Sequence, residues 1–187
     1  MAAAASSGQG AAKRLFCFGL GFSALTLAAR LGARGWSIAG TARTAEKRAA
    51  LAARGIAAHR FERGARLPDA ARLLAGFDYI LSSVPPDAAG DPVLDEHGAD
   101  LAAQAPHLRW VGYLSTTGVY GDRAGGWVDE ASALEPTGER GRRRVAAERG
   151  WLALGEAAGL PVQLFRLAGI YGPGRNVIEQ LRAGTAK

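Results

Sequence analysis

The chain has 187 residues, 48% of them hydrophobic and 21% charged, which is typical of one globular domain with a buried core and excludes a disordered chain. Its formal net charge is +6, and its basic residues are nearly all arginines, with lysine only at Lys13, Lys47 and Lys187. The single cysteine, Cys17, excludes an internal disulfide, and no apolar run reaches the ~18 residues of a membrane span. Residues 1–12 lack the basic start and apolar core of a signal peptide, so we expect a flexible N-terminal segment, no membrane partner and a cytoplasmic protein.

Short apolar runs alternate along the chain with segments whose apolar residues recur at helical spacing. The predicted strands are Arg14–Phe18, Trp36–Thr41, Ile56–Phe61, Tyr79–Val84, Arg109–Ser115 and Pro161–Leu167. The predicted helices are Ser23–Arg34, Ala45–Arg54, Asp69–Leu74, Val93–Ala105 and a long one from Pro136 to Ala158. This alternation predicts an α/β fold, a Rossmann-type doubly wound parallel sheet of about six strands with helices on both faces, as one domain over residues 13–187.

A glycine-rich turn joins the first predicted strand to the first predicted helix, and the segment from Gly19 to Ala24 follows the pattern G-x-G-x-x-A. Gly19 allows a tight turn, Gly21 lets the backbone approach a pyrophosphate, and Ala24 lets the helix pack closely on the strand. The N–H groups that begin the helix, at Phe22 and Ser23, face the same place. The pattern predicts a dinucleotide site at these five residues, the alternative being a tight turn without a ligand.

The end of the second predicted strand indicates which dinucleotide is bound. NAD-binding units usually carry Asp or Glu there, whereas this chain has no acid before Glu46. Arg43 can hold a 2′-phosphate by a bidentate contact, Thr41 and Thr44 can add hydroxyl contacts, and Lys47 can add charge. The sequence therefore favours NADP over NAD, the alternative being that Arg43 is a solvated surface arginine.

Three residues end the fourth predicted strand, which topology places beside the first. Ligands of such sheets bind beyond the carboxyl ends of the strands. We therefore expect Ser82, Ser83 and Val84 to face the nicotinamide ribose and part of the pyrophosphate.

Several later segments together resemble the extended short-chain dehydrogenases, which include nucleotide-sugar epimerases and dehydratases. The segments are Leu114–Gly121 (LSTTGVYG), Val128–Glu130, Pro136, a long helix with Glu148, and Phe165–Gly174 (FRLAGIYGPG). In that family a Tyr-x-x-x-Lys pair on the long helix performs the chemistry and a Ser or Thr steadies the substrate oxygen. The resemblance places the pair at Arg140 and Arg144 and the hydroxyl at Thr116, with Ser115 beside it.

Arginine at both positions of the pair resembles the atypical branch of the family, which keeps the cofactor fold without the motif. Arg140 cannot be a base, because a guanidinium group is not deprotonated in proteins. The resemblance leaves Thr116, Ser115, Tyr120 and Arg144 as the candidate active-site residues, with Glu139 as another candidate base. Whether the protein is catalytic stays open at this point.

The resemblance implies an NADP-dependent oxidoreductase or epimerase-like protein acting on a polar carbonyl or nucleotide-sugar-like compound. The first alternative is a catalytically degenerate NADP-binding regulator or scaffold, which the arginines at 140 and 144 favour. A second is nucleic-acid binding by the arginines of the long helix, against which we prefer a solvated helix face. We expect no metal and no nucleic acid, and a homodimer through helix 137–158. Extended members continue beyond this point with a substrate domain, so the chain is either a fragment or a shortened form.

Overall fold

The structure, a computed structural model, describes residues 12–185. The flexible segment predicted at 1–12 lies outside the described residues except for Ala12. The last two positions of the predicted domain, 186 and 187, also lie outside them.

Six strands form a single parallel sheet, as the alternation of apolar runs predicts. They are β1 (Arg14–Phe18), β2 (Ser37–Thr41), β3 (Ala57–His59), β4 (Tyr79–Ser82), β5 (Trp110–Thr116) and β6 (Val162–Leu167). Their order across the sheet is β3-β2-β1-β4-β5-β6, which confirms the doubly wound Rossmann-type fold. The third strand is shorter than predicted, since β3 lies at the edge and pairs with β2 over three residues only.

The helices are α1 (Phe22–Gly32), α2 (Ala45–Ala52), α3 (Ala70–Leu74), α4 (Pro92–Ala103), α5 (Glu139–Ala158) and α6 (Val177–Arg182). The sequence analysis missed α6, although the Asn176 side chain accepts the N–H of Glu179 at 3.0 Å, an N-cap that the spacing Asn-x-x-Glu could have indicated. The predicted loop after β5 contains a short 3-10 helix at Thr117–Val119. Within residues 12–185 no helix has both the length and the hydropathy needed to cross a membrane.

Apolar side chains cover both faces of the sheet. The side chains of β1 alternate between the two sides, with Phe16 and Phe18 packed towards α3, α4 and α5, and Leu15 and Cys17 towards α1 and α2. A central parallel strand buried on both faces explains why this run is continuously apolar. Helices therefore lie on both faces of the sheet, as predicted.

The position of β1 decides where a ligand can bind. It pairs with β2 on one side and with β4 on the other, so the chain leaves β1 towards one edge of the sheet and returns to the other. A crevice opens at the carboxyl ends of the strands at such a switch point. The glycine turn after β1 lies at this crevice.

Candidate functional site

The turn after β1 is held by contacts from both neighbouring strands. Gly19 has φ +83°, a conformation that favours glycine, and a Cβ built there would lie 2.9 Å from Ser83 Oγ. Its N–H donates to Thr41 Oγ1 at 2.7 Å, and the Ser83 hydroxyl donates to its carbonyl oxygen. The next N–H, of Leu20, donates to the Thr41 carbonyl at 2.9 Å. The first position of the glycine pattern therefore has no room for a side chain.

The second glycine faces open space. Apart from its chain neighbours, no atom of residues 12–185 lies within 4 Å of a Cβ built on Gly21, which directly precedes α1. The first turn of α1 has neither a side-chain cap nor an acidic residue, so its N–H groups and positive dipole end are free to meet an anion. Ala24 is fully buried against the sheet, whereas Phe22 and Ser23 are half-buried. This end of the helix fits a pyrophosphate.

Basic residues gather at the carboxyl end of β2. Arg43 follows the strand, Lys47 lies in the first turn of α2, and Arg48 donates from Nη1 to the Arg43 carbonyl at 3.1 Å. Thr44 accepts the Lys47 N–H at 3.2 Å and caps α2, so its side chain is already used. Lys47 and Arg43 both face the crevice, which gives this end of the site two positive charges.

A cavity of about 510 Å³ joins the glycine turn to this basic group. Six of the predicted cofactor residues line it: Gly19, Gly21, Thr41, Arg43, Ser83 and Val84. Ser82 does not, because its side chain is fully buried in the sheet and its Oγ has no hydrogen-bond partner among residues 12–185. The Thr41 oxygen already accepts the Gly19 N–H, so Thr41 supports the turn whether or not it also meets a ligand.

The sequence analysis missed the cavity wall that follows β3. Phe61 and Arg63 line the cavity, and Arg63 pairs with Asp87 at 2.7 Å and with Asp95 at 2.8 Å. The hydrogen bond from Arg63 lowers the pKa of Asp87. These pairs tie the loop after β3 to the loop after β4 and to α4. The sequence could have indicated that residues after β3 lie near the site, because they follow a parallel strand. It could not indicate that Arg63 pairs with Asp87 and Asp95.

A second missed contact crosses the sheet near the N-terminus of α1. The guanidinium carbon of Arg175 lies 5.5 Å from the centre of the Phe22 ring. A Cβ on Gly172 would lie 2.9 Å from the same ring. The glycine-rich loop after β6 therefore packs against the first residue of α1, beside the cavity.

The carboxyl ends of β5 and β6 carry the other group of predicted residues. Thr116 is half-buried at the end of β5, and its Oγ1 accepts the N–H of Gly118 at 3.1 Å. The Ser115 hydroxyl is buried and donates to Glu148 at 2.5 Å. The Tyr120 hydroxyl accepts from Arg166 at 2.9 Å. The Ser115 proton is thus engaged by Glu148, whereas among residues 12–185 the hydroxyl oxygens of Thr116 and Tyr120 only accept hydrogen bonds, so both still carry an O–H that can donate.

Two known proteins are similar to this chain in sequence. The chain is 30% identical over 171 residues to Protein YeeZ of Escherichia coli (strain K12), which covers 88% of this chain and 61% of that protein. A solved structure of a functionally unknown conserved protein from Silicibacter pomeroyi DSS is 45% identical, with a TM-score of 0.81 over 90% of this chain and 57% of that chain. No protein-family model matches the sequence.

Two enzymes solved with NAD share the architecture at lower identity. UDP-glucuronic acid 4-epimerase from Bacillus cereus is 19% identical with a TM-score of 0.72, over 91% of this chain and 63% of that chain. dTDP-glucose 4,6-dehydratase from Bacillus anthracis is 17% identical with a TM-score of 0.68, over 93% of this chain and 62% of that chain. The fold is that of NAD-dependent epimerases and dehydratases. This chain spans 57% to 63% of the length of all four proteins.

Arg144, which the sequence resemblance assigns to the lysine position of the pair, lies on α5 and faces the end of β5. Its Nη1 donates to the Leu114 carbonyl at 2.6 Å and to the Tyr113 hydroxyl at 3.1 Å. Tyr113 and Ser82 form the last register pair of β4 and β5, so the guanidinium group lies where these strands separate. Burial raises the pKa of Tyr113, which therefore stays protonated and cannot serve as a base at neutral pH.

Two other arginines near the start of α5 are partly neutralised by Glu139. Arg142 and Arg143 donate to the Glu139 carboxylate at 3.1 and 2.9 Å, and these bonds, that of Arg143 first, lower the pKa of Glu139. A lower pKa means that the Glu139 carboxylate holds a proton less strongly, which makes it a poorer base at neutral pH. Homodimer formation through helix 137–158 and the lack of nucleic-acid binding stay predictions.

Proposed function

We propose that this chain binds NADP(H) and forms the cofactor-binding part of an oxidoreductase of the epimerase/dehydratase type. The observation that carries the proposal is the cavity of about 510 Å³ that has the glycine turn on one wall and Arg43 and Lys47 on another. Its substrate would be a polar carbonyl or hydroxyl compound such as a nucleotide-linked sugar, by analogy with enzymes of this fold. The chain covers less than two thirds of its relatives, so the activity of the whole protein is part of the proposal.

The choice of NADP rests on the charges at the end of β2. A 2′-phosphate on the adenosine ribose would meet Arg43 and Lys47, and Arg48 holds the Arg43 backbone in place. The acid that would repel this phosphate in an NAD site is missing between Thr41 and Glu46. The epimerase and the dehydratase compared above were solved with NAD, so the preference needs a direct test.

The residues of this chain would divide the work between binding and positioning. A bound nicotinamide dinucleotide supplies hydride transfer. The free N–H groups at the start of α1 would hold the pyrophosphate, and Ser83 keeps the glycine turn closed around it. Thr116 would donate a hydrogen bond to a substrate oxygen from the end of β5.

A second candidate is a non-catalytic NADP-binding protein. Arginine replaces both members of the usual pair, and the hydroxyl groups of Ser115 and Tyr120 are engaged by Glu148 and Arg166. The Ser115 hydroxyl, which donates its proton to Glu148, is therefore not free to act as the missing base. Tight NADPH binding without oxidation of NADPH by any carbonyl compound offered would favour this candidate.

The experiment is calorimetric titration of NADPH and NADH into the chain, Arg43→Ala and the matched control Arg72→Ala. Arg72 is an exposed arginine in the last turn of α3, away from the cavity lining. We expect NADPH to bind the unmodified chain about tenfold more tightly than NADH or better, as charge-assisted hydrogen bonds to a phosphate provide. Arg43→Ala should remove that preference and Arg72→Ala should keep it.

Two results would contradict the proposal in different ways. Equal affinities for NADH and NADPH, unchanged in Arg43→Ala, would overturn the NADP assignment and leave a dinucleotide site. If neither nucleotide binds, the cofactor assignment itself is wrong and only the fold remains.

A further inference from the structure

Two arginines at the start of α5 differ from their neighbours in having no acidic partner. Arg142 and Arg143 both form ion pairs with Glu139, and Glu148 forms an ion pair with Arg166. Arg140 and Arg144 have no carboxylate within 4.0 Å among residues 12–185. Arg144 is nevertheless half-buried, so its charge is partly removed from water without a counter-charge.

The placement of these two charges is unfavourable for the helix itself. Cations near a helix N-terminus oppose its dipole, and like charges four residues apart repel each other. Arg140 and Arg144 combine both effects, being four residues apart in the first two turns of α5. A single anion between the two guanidinium groups would reverse both effects.

Packing places the first turn of α5, which carries Arg140, beside the end of β5, and Arg144 contacts that strand directly. A Cβ on Gly141 would lie 2.7 Å from the Gly118 carbonyl, so the first turn of α5 rests on the 3-10 helix that follows Thr116. Arg144 reaches the point where β4 and β5 separate through the bond from its Nη1 to Leu114. That bond orients the guanidinium group, and its Nη2 and Nε have no partner within the described part of the chain.

We propose that Arg140 and Arg144 form a binding site for a carboxylate or phosphate group of the substrate. The proposal rests on the proposed function, because it assigns the anion to the substrate and not to the cofactor. The Nη1 contact orients the Arg144 guanidinium group, and its Nη2 and Nε are left to donate to an anion. Arg140, one helical turn earlier, would supply a second guanidinium group. The substrate class that follows is an acidic polar compound, in which the anionic group fixes the orientation of the reacting carbon.

The test is calorimetric titration of inorganic phosphate and of malonate into the chain, both free and saturated with NADPH. Arg140→Gln and Arg144→Gln are compared with Arg142→Gln, which removes the same charge from the same helix but at an arginine bound to Glu139. Arg140 is exposed and makes no hydrogen bond in the described chain, so Arg140→Gln keeps the test valid even if Arg144→Gln fails to fold. Thermal unfolding of each variant checks that it is folded.

We expect at least one of the two anions to bind the NADPH-saturated chain, and its affinity to fall about tenfold or more in Arg140→Gln and Arg144→Gln, as loss of a charge-assisted hydrogen bond predicts. Arg142→Gln should bind as the unmodified chain does, and Arg140→Gln should keep its NADPH affinity. A preference for phosphate or malonate tells which anionic group the substrate carries.

Three results would overturn the proposal. Absence of anion binding, or an equal loss in Arg142→Gln, would show that the pair is no specific site. Anion binding that NADPH abolishes, together with weaker NADPH binding in Arg140→Gln, would assign the arginines to the cofactor. If NADPH does not bind at all, the proposed function fails separately, and loss of anion binding to the free Arg140→Gln chain still decides whether the pair is an anion site.

Discussion

Gly40 shows how one residue in β2 shapes the glycine turn. A Cβ built on Gly40 would lie 2.3 Å from the Cys17 carbonyl oxygen and 3.0 Å from Leu20 Cγ, both in or beside the end of β1. The two backbones approach this closely because Thr41, the next residue, holds Gly19 and Leu20 by hydrogen bonds. The shape of the turn therefore depends on a glycine outside the G-x-G-x-x-A pattern.

We expect Gly40→Ala to lower the free energy of unfolding by about 1–3 kcal/mol, the usual cost of forcing extra atoms into a packed core. It should also weaken NADPH binding, because β1 and β2 must move apart at the turn. The matched control is Gly98→Ala, in the interior of α4 with no atom within 4 Å of the new Cβ, which should raise the free energy of unfolding by about 0.5–1 kcal/mol. Urea unfolding of the two variants measures the change in the free energy of unfolding. Equal changes in Gly40→Ala and Gly98→Ala would contradict the role given to Gly40.

Several elements meet at a buried ion pair between α5 and β6. Glu148 is 1% exposed and receives a hydrogen bond from Arg166 Nη2 at 2.9 Å and one from Ser115 of β5. Arg166 also donates to the Tyr120 hydroxyl, after the 3-10 helix, and to the Glu130 carbonyl of the long loop. The bond to Glu148 raises the pKa of Arg166, so the guanidinium group stays charged. This network fixes the end of β5, where Thr116 lies.

Glu148→Gln should lower the free energy of unfolding by about 3 kcal/mol, because it leaves the Arg166 charge without its partner. This is the low end of the range for a buried ion pair, since the Arg166 side chain keeps 17% exposure to water. The control is Glu139→Gln, at an exposed carboxylate, which should cost no more than about 1 kcal/mol. Thermal or urea unfolding of the two variants gives the comparison. A loss in Glu148→Gln no larger than that in Glu139→Gln would show that the network contributes little to stability.

The apolar surface of the whole molecule is unevenly distributed. Six of the large exposed hydrophobic side chains lie within the last part of the described chain: Phe165, Ile170, Tyr171, Val177, Ile178 and Leu181. They lie on β6, which is an edge strand, and on the loop and helix that follow it. Clustered apolar surface of this kind marks a place for contact with other groups, whereas single exposed residues such as Leu152 are ordinary.

We expect the double variant Ile178→Ser/Leu181→Ser to bind a hydrophobic dye more weakly than the unmodified chain, because it removes two exposed apolar side chains of this surface from one helix, α6. The dye is measured in saturating NADPH so that the cavity beside the glycine turn does not contribute. Leu152→Ser, on the exposed face of α5, is the control and should leave the fluorescence unchanged. A larger loss of fluorescence in Leu152→Ser would place the principal apolar surface on α5 instead.

The fold and several residues of the candidate cofactor site could be predicted from the amino-acid pattern alone. The turn from Gly19 to Ala24 and the basic residue Arg43 could be recognised because they depend on short spacings after strands that are buried on both faces. The doubly wound parallel arrangement, with the fourth strand beside the first, followed from the alternation of strands and helices, since right-handed crossovers leave few arrangements. These features depend on residues close together in the sequence, so they can be predicted without knowledge of the tertiary structure.

Only the tertiary structure decided which side chains are free. Ser115 and Glu148 are 33 residues apart and Arg63 and Asp87 are 24 apart, so neither pair could be derived from spacing. The burial of Ser82 away from the cavity likewise depends on which face of β4 meets the helices, a choice that the apolar run does not reveal. Contacts between distant residues depend on strand register and helix packing, and these are set by the summed burial of the whole core.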